Sequence, residues 1–297
     1  MAFEVDANAL TTLDSVKRHI GVSGHDDDAL LITLINQLSG RIEDLANGRK
    51  FKARDWRFWL TMKHSRTLLI PQYPVIYVNR IAHGAQDALS VSYSGSAIRA
   101  TAQVYRDSEG NTGGIRLVSY DSSGARTTNE LTVASNGSAS AMATAVTAVS
   151  GWTGTLVQDT PSADLHPTGG VDAKSRTVNF TYPDQDDSNY RIDYDTGRVR
   201  LVHDQAVGFD LGSKNLTSSF QGFLVEARCG FETIPAQIVW LANELVSQAY
   251  KSKPLNRSLA SESLGDYSYS LASGVQIGDE YRELLMPYTD LAVGGAA

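Results

Sequence analysis

Residues 233–254 read TIPAQIVWLANELVSQAYKSKP. Ile238, Leu241, Ala242, Leu245 and Ala249 recur at steps of three and four, the spacing of one buried stripe on a 3.6-residue helix. Pro235 falls in the first turn, where its missing N–H is tolerated, and Pro254 stands just beyond the expected end. The same period stands out near the other end of the chain. In HDDDALLITLINQLSGRIEDLANGRKF (residues 25–51), Leu31, Leu34, Ile35, Leu38, Ile42 and Leu45 form a second stripe. Asp26, Asp27 and Asp28 precede it, where carboxylates can cap free N–H groups, and Asn47-Gly48 closes it. LTTLDSVKRHIGVSG (residues 10–24) adds a short helix with Leu13, Val16 and Ile20 on one face, Thr11 as its expected cap with Asp14 three residues on, and a stop at Gly21.

Between these helical ends the period changes to that of strands. TLLIPQYPVIYVNRIAHG (residues 67–84) is β-branched and aromatic, with prolines at 71 and 74 that suit edges or bends. From about Gly84 to Tyr190 the chain is rich in Gly, Ser, Thr and Ala, and short apolar runs such as IRLVSY and TVNFTY are divided by DSEGNTGG and DSSG turns. Within it, SASAMATAVTAVSGW suits a short helix capped at Ser138 and ending at Ser150-Gly151. Beyond it, YRIDYDTGRVRLV reads as a hairpin turning at Asp195-Thr196-Gly197, and GFLVEARCGF as a further strand. The expected fold is α+β: a small α-helical bundle core formed from both chain ends, interrupted by a β-rich inserted domain, with an extended C-terminal arm. The expected boundaries are 1–82 for the N-terminal helices and first strands, 83–190 for the insert, 191–255 for the closing strands and long helix, and 256–297 for the arm.

The 297 residues are 42% hydrophobic, enough for a real core. Neither a membrane span nor a secretory leader is expected, which suggests a protein that stays in the cytosol where it is made. The one cysteine, Cys229, excludes an internal disulfide and reads as an apolar filler. A net charge of −7 argues against a surface that coats DNA, because nonspecific affinity comes mainly from Lys and Arg on phosphates. Nucleophile-elbow, zinc-pair, phosphate-loop and dinucleotide motifs do not occur. The nearest approach to a metal loop is DQDDSNYRIDYD, with Asp184, Asp186 and Asp195 at positions one, three and twelve of a calcium loop. Asn189 stands where that loop needs glycine, and the last ligand is Asp rather than Glu, so a solvated turn is the better reading. Asp193 with Asp195 is explained by strand alternation before a glycine turn, and HDDD by helix capping. The expected catalytic, cofactor-binding and metal residues are none.

Two stretches are unusual. GRKFKARDWRFW (residues 48–59) alternates Arg49, Lys50, Lys52, Arg54 and Arg57 with Phe51, Trp56, Phe58 and Trp59. It suits either a strand with its rings inward and its charges solvated or a patch made of Arg49, Lys50, Lys52, Arg54, Trp56 and Arg57 that lies near a partner or DNA. SESLGDYSYS (residues 261–270) is followed by GDEYRELLMPY (residues 278–288). Extended, the first turns at Leu264-Gly265-Asp266 and sends Tyr267, Tyr269 and Leu271 to one side. The second offers a short amphipathic helix or hook with Tyr281, Leu284, Leu285 and Tyr288 as anchors.

The order of these elements resembles the head-tail connector, or head-completion adaptor, family of tailed bacteriophages. The likeness rests on EDLANGRKF closing the first long helix, LLIPQYPVIYV, the family's GY.TIP pattern at Gly230–Pro235, SESLGDYSYS at Ser261–Ser270, and LL.PY at Leu284, Leu285, Pro287 and Tyr288. Phe231 replaces the usual tyrosine and keeps the ring. The likeness spans about residues 9–82 and 191–290 and weakens through the insert. It implies a homo-oligomeric, dodecameric ring beneath the portal protein that extends the DNA channel and carries the tail or a second head-completion protein. Packaged DNA would pass through it; the site would be the virion, with synthesis in the bacterial cytoplasm, no membrane and no cofactor. Leu264, Asp266, Tyr267, Tyr269, Tyr281, Leu284, Leu285, Pro287 and Tyr288 would bind portal or a neighbouring subunit, as an arm over residues 261–290 ordered by that partner. One alternative is a carbohydrate-binding or hydrolysing tail component using the β-rich insert, with Trp152 stacked on a sugar. Another is a nucleic-acid enzyme of packaging, with the basic-aromatic patch beside a carboxylate metal cluster.

Overall fold

The computed structural model describes residues 4–61, 67–202, 222–251 and 279–289. Leu264, Asp266, Tyr267, Tyr269 and Pro254 lie outside them. The described chain is α+β, with helices and antiparallel sheets, and divides into two compact units. The first takes the residues up to Arg54, then Gln72–Pro74 and the residues from Cys229 on; the second takes Asp55–Pro71 and Val75–Arg228.

In the first unit lie α1 (Leu13–Ile20), α2 (Asp28–Leu45), α4 (Ala236–Lys251) and α5 (Asp279–Thr289). One apolar cluster joins them: Leu10 and Val16, then Leu31, Ile35, Leu38 and Ile42 of α2, then Ile238, Leu241, Leu245 and Val246 of α4, with Tyr281 and Leu285 of α5. Each such aliphatic side chain, fully buried, contributes about 1.5–3 kcal/mol. The stripes expected on α2 and α4 are the buried faces, with Leu34, Leu45 and Ala249 half-buried at their margins. Helix α4 is buried more widely than its stripe predicts, since Asn243 and Ser247 are enclosed too. The reason is polar: Thr11 Oγ1 donates to Asn243 Oδ1 at 2.6 Å, and Asn243 Nδ2 donates to Ser15 Oγ at 3.0 Å. Thr11 is therefore not the cap of α1. Thr12 is, accepting from the Ser15 N–H at 3.2 Å, which frees the Thr11 hydroxyl for α4. Gly21, at φ 77°, closes α1 in the left-handed conformation. Asp27 is the cap residue of α2, but its carboxylate makes no capping bond and instead accepts from Tyr250 Oη at 2.5 Å. Asp28 pairs with Lys17 and His25.

The second unit carries the sheets. Here β5 (Arg99–Arg106), β6 (Thr112–Tyr120) and β7 (Arg126–Thr132) form an antiparallel meander, extended past β5 by β9 (Val171–Asp172). Both of its turns use one device. Asp107 Oδ1 accepts from the N–H groups of Glu109 and Asn111, Asp121 Oδ1 accepts from those of Ser123 and Ala125, and Gly110 and Gly124 take positive φ three residues after each aspartate. A second sheet has the order β10 (Val178–Tyr182), β4 (Gln86–Tyr93), β8 (Trp152–Leu156), with α3 (Ala139–Thr147) packed on it and capped at Ser138 as expected. These elements share a core that includes Leu89, Val104, Leu117, Met142, Trp152 and Phe180. The hairpin of β12 (Tyr190–Asp193) and β13 (Arg198–Leu201) turns at residues 194–197 with Gly197 at φ 67°, as read from the sequence, and β13 pairs on with β2 (Thr67–Leu69).

The fourth sheet has the order β1 (Arg54–Leu60), β14 (Phe223–Cys229), β3 (Val75–His83), β11 (Gln185–Asp186). It groups strands that stand on both sides of residues 83–190, so the β-rich unit runs wider than the excursion expected from composition. Strand pairing, which composition does not report, draws the flanking strands into it.

Candidate functional site

The first unit holds a buried cation with no carboxylate paired to it among the described residues. Helix α2 ends at Leu45, and Asn47 (φ 58°) and Gly48 (φ 76°) turn the chain through left-handed conformations into Arg49. Phe51 then bridges to the segment between β14 and α4: the Phe231 N–H donates to Phe51 O at 2.7 Å, and the Ala53 N–H donates to Phe231 O at 3.0 Å. Gly230 makes this approach possible, because a Cβ there would lie 2.8 Å from the Lys52 carbonyl oxygen at φ 110°. Its own N–H donates to Pro74 O at 2.9 Å, fixing the Gln72–Pro74 segment, whose Tyr73-Pro74 bond is cis.

These turns place four rings around the Arg49 guanidinium. Its central carbon lies 3.9 Å from the ring centre of Tyr73, 5.5 Å from those of Phe231 and Tyr288, and 5.9 Å from that of Phe51. Nε donates to Tyr73 O at 2.9 Å and Nη1 to Tyr288 O at 3.1 Å. Arg49 is 6% exposed, and its burial lowers its pKa from the ordinary arginine value. An arginine stays charged even so, and here ring faces and carbonyl oxygens take the place of a counter-ion. Tyr288 belongs to α5, so the cage ties that helix down. Gln248 Nε2 donates to Tyr281 Oη at 2.6 Å, Asn47 Nδ2 donates to Thr289 O at 2.8 Å, and Leu285 is 1% exposed.

In the second unit a different cluster is built on Asp164, in the short 3-10 turn Ser162–Asp164. The Asp164 carboxylate is buried; Arg80 Nη1 donates to it at 2.9 Å and Arg57 Nη2 stands 3.0 Å from it. Arg57 also pairs with Glu226, and Arg80 Nε donates to Asp186 at 2.7 Å. Strands β1, β3, β11 and β14 and the 3-10 turn are thereby clamped together. Next to it, Trp59 Nε1 donates to Thr112 Oγ1 at 3.2 Å, Thr112 Oγ1 donates to Leu165 O at 2.8 Å, and the ring of His166 lies 4.8 Å from that of Trp59. Burial pushes the His166 pKa below the usual histidine value, against the opposing pull of the Thr181 contact and of Asp164 and Asp184. A base with a depressed folded pKa binds fewer protons than its unfolded form, so stability falls as pH drops through the ordinary histidine range near 6.5. The second unit is expected to melt at a lower temperature at pH 5 than at pH 7. The His166→Gln variant should narrow that difference, as read by calorimetry at both pH values.

The basic-aromatic stretch is divided between the units and is not one surface patch. Arg49 is caged, Lys50 pairs with the buried Glu43 at 2.5 Å, and Lys52 Nζ donates to Ala7 O at 2.6 Å. Arg54 and Trp56 are half-buried, with Trp56 stacked on Phe58 at 5.5 Å, and Arg57 is committed to Asp164 and Glu226. Charge that reads as free in sequence is spent inside the fold, which removes Arg49 and Arg57 as phosphate contacts. The anchors expected to reach a partner are also placed differently. Tyr281 and Leu285 are buried in the chain's own core, Leu284 and Tyr288 are half-buried, and Pro287 is exposed. Trp152 is 4% exposed and packs on Tyr93 at 4.9 Å, so it offers no sugar platform. Among the described residues no three of His, Cys, Asp and Glu gather as metal ligands. Asp186 serves Arg80, and the Asp193 carboxylate accepts from the Asp195 and Thr196 N–H groups within the hairpin turn. A recess of about 380 Å³ beside Arg80, lined by Asn79, Asp186, Ser188 and Tyr190, is the cavity next to this cluster. Tyr73, Gln248, Arg80 and Asp164 are not visible as site residues in the sequence, because each is brought to its site from a separate stretch of chain. Comparison of the chain with protein-family models, with curated proteins and with solved structures finds no match.

Proposed function

We propose that this protein is a virion structural protein, a head-tail connector adaptor that closes into a dodecameric ring beneath a portal, extends the DNA channel and carries the tail. The finer architecture belongs to the same reading: a small helical bundle core drawn from both chain ends, a β-rich insertion and a C-terminal arm. One observation supports it above others. The separated stretches that carry the resemblance, Glu43–Phe51, Gly230–Pro235 and Leu284–Tyr288, meet around Arg49 through Phe51, Phe231 and Tyr288. Motifs that converge on one structural site are expected to be kept together as a set.

The physics of the proposed role is consistent with the composition. A head-to-tail interface whose rotation closes makes a ring. A chain of net charge −7 placed around the channel would repel duplex phosphates and leave DNA free to slide. Negative-stain images of the purified protein, alone and mixed with the portal of the same phage, test the reading. Rings, free or seated on portal, are expected; a protein that stays monomeric and never binds portal would rule it out.

A further inference from the structure

We infer that the outer face of the meander β5, β6, β7 carries a carboxylate-binding site, built from Arg99, Tyr120 and Arg126, for an acidic segment of another protein laid along β7. This part of the chain lies where the resemblance to the connector family weakens, so the site stands independently of the adaptor reading. Register puts the three residues in one row. Arg99 pairs with Tyr120 across β5 and β6, and Tyr120 pairs with Arg126 across β6 and β7. Residues directly opposite one another in antiparallel strands share a face, here the one turned away from the core residues Ala100, Val104, Ile115 and Leu117. The Arg99 guanidinium carbon lies 4.1 Å from the centre of the Tyr120 ring, and both arginines are exposed. Further along the same face stands a completed version of this arrangement. There Arg116 lies over the Tyr105 ring at 4.6 Å, and Glu130, opposite it on β7, accepts from its Nε at 2.7 Å.

In the Arg99 row, β7 supplies a second arginine at the place where Glu130 serves Arg116. Two guanidinium groups thus flank one ring, and no carboxylate is bonded to either of them among the described residues. The neighbouring acids are committed elsewhere: Asp121 Oδ1 accepts from the Ser123 and Ala125 N–H groups, and Asp172 Oδ1 from the Lys174 N–H. An anion from outside completes the row. The edge position of β7 favours a protein as its source. Strand β7 ends its sheet, in the order β7-β6-β5-β9, and pairs with β6 along its length with no proline and no bulge, two of the devices that block an edge. A strand added there bonds to the β7 backbone and places every second side chain on the arginine face, so an acid opposite Arg126 falls where the row is incomplete. Those backbone bonds supply what exposed ion pairs lack, since a single such pair is weak in water. Nucleic acid is the poorer match. Its affinity grows with the number of phosphates neutralised, and two arginines on a chain of net charge −7 neutralise few.

The probe is a fluorescein-labelled peptide of alternating Thr and Glu, matched to β7 in length, with an alternating Thr and Gln peptide as its control. Both are titrated against the full chain by fluorescence anisotropy at low salt, where exposed charges are screened least. Arg126→Glu gives the row its own acid, as Glu130 does for Arg116, and Arg99→Gln removes the stacked cation; both positions are exposed, so both variants should fold as wild type by circular dichroism. The Glu peptide is expected to bind about tenfold more tightly than the Gln peptide and to lose about tenfold in affinity with either variant. Its binding should also slow hydrogen exchange of the β7 amides. Equal affinity for the two peptides, no binding of the Glu peptide at about 1 mM, or binding that both variants leave unchanged overturns the site. An oligothymidylate that binds more tightly than the Glu peptide and is lost with the same variants overturns the protein partner and assigns the row to phosphate. Binding that leaves exchange at β7 unchanged overturns the added strand.

Discussion

Replacing Asp164 by alanine is expected to lower the stability of the β-rich unit by about 3 kcal/mol or more, because removing one partner of a buried ion pair leaves the other charge desolvated. Two arginines lose this partner at once, Arg80 at 2.9 Å and Arg57 at 3.0 Å. Arg57 keeps Glu226 and Arg80 keeps Asp186, both more exposed than Asp164, which holds the cost toward the lower end of the range for buried pairs. Asp164→Asn retains an acceptor but not the charge and should fall between wild type and Asp164→Ala. Urea unfolding followed by the near-ultraviolet signal of Trp59 and Trp152 reads the effect in the second unit. A change below about 0.5 kcal/mol, the level of an ordinary surface substitution, would show that the clamp carries little of the stability.

The second large effect belongs to Arg49. Arg49→Ala removes a desolvated cation from four rings together with its bonds to Tyr73 O and Tyr288 O. Cation–π contacts of this kind contribute about 2 kcal/mol and a hydrogen bond from a charged donor about 1.5–3 kcal/mol, so a loss of about 3 kcal/mol is expected. The loss should appear first as release of α5. Trp240 lies 6.5 Å from Tyr281 and is 46% exposed, so its fluorescence reports the helix leaving. Arg49→Lys keeps the charge but not the planar fork, and should restore less than half of the effect. Full recovery with lysine would mean that charge alone, without the stacked geometry, holds the site.

The helices were legible because their information is local. The stripes Leu31–Ile42 and Ile238–Leu245 and the stops at Gly21 and Gly48 follow from a repeat and a few special residues, and they stand in the structure where the sequence puts them. The Asp-Ser-x-Gly turns and the Asp193–Gly197 hairpin were equally local. Strand partners were not. That β1 joins β14, and β14 joins β3, depends on pairings at long separation, so a sheet that gathers strands from both sides of residues 83–190 does not follow from composition.

The site suffered from the same limit in a sharper form. Arg49, Arg57 and the half-buried Arg54 look alike in sequence, whereas their roles depend on Tyr73, Asp164 and other residues brought in from elsewhere. Thr11 and Thr12 are a smaller case: either could cap α1, and Asn243, 232 residues from Thr11, decides it. Tyr281, Leu285 and Tyr288 were recognisable as anchors, but their first partner is the chain's own core.

The adaptor reading is tested most directly by counting copies. Native mass measurement of the complex recovered after mixing this protein in excess with the portal of its phage is predicted to give portal plus a full dodecamer of this chain, with no series of partial occupancies. Portal recovered alone at every ratio, with the protein folded and in excess, would contradict it.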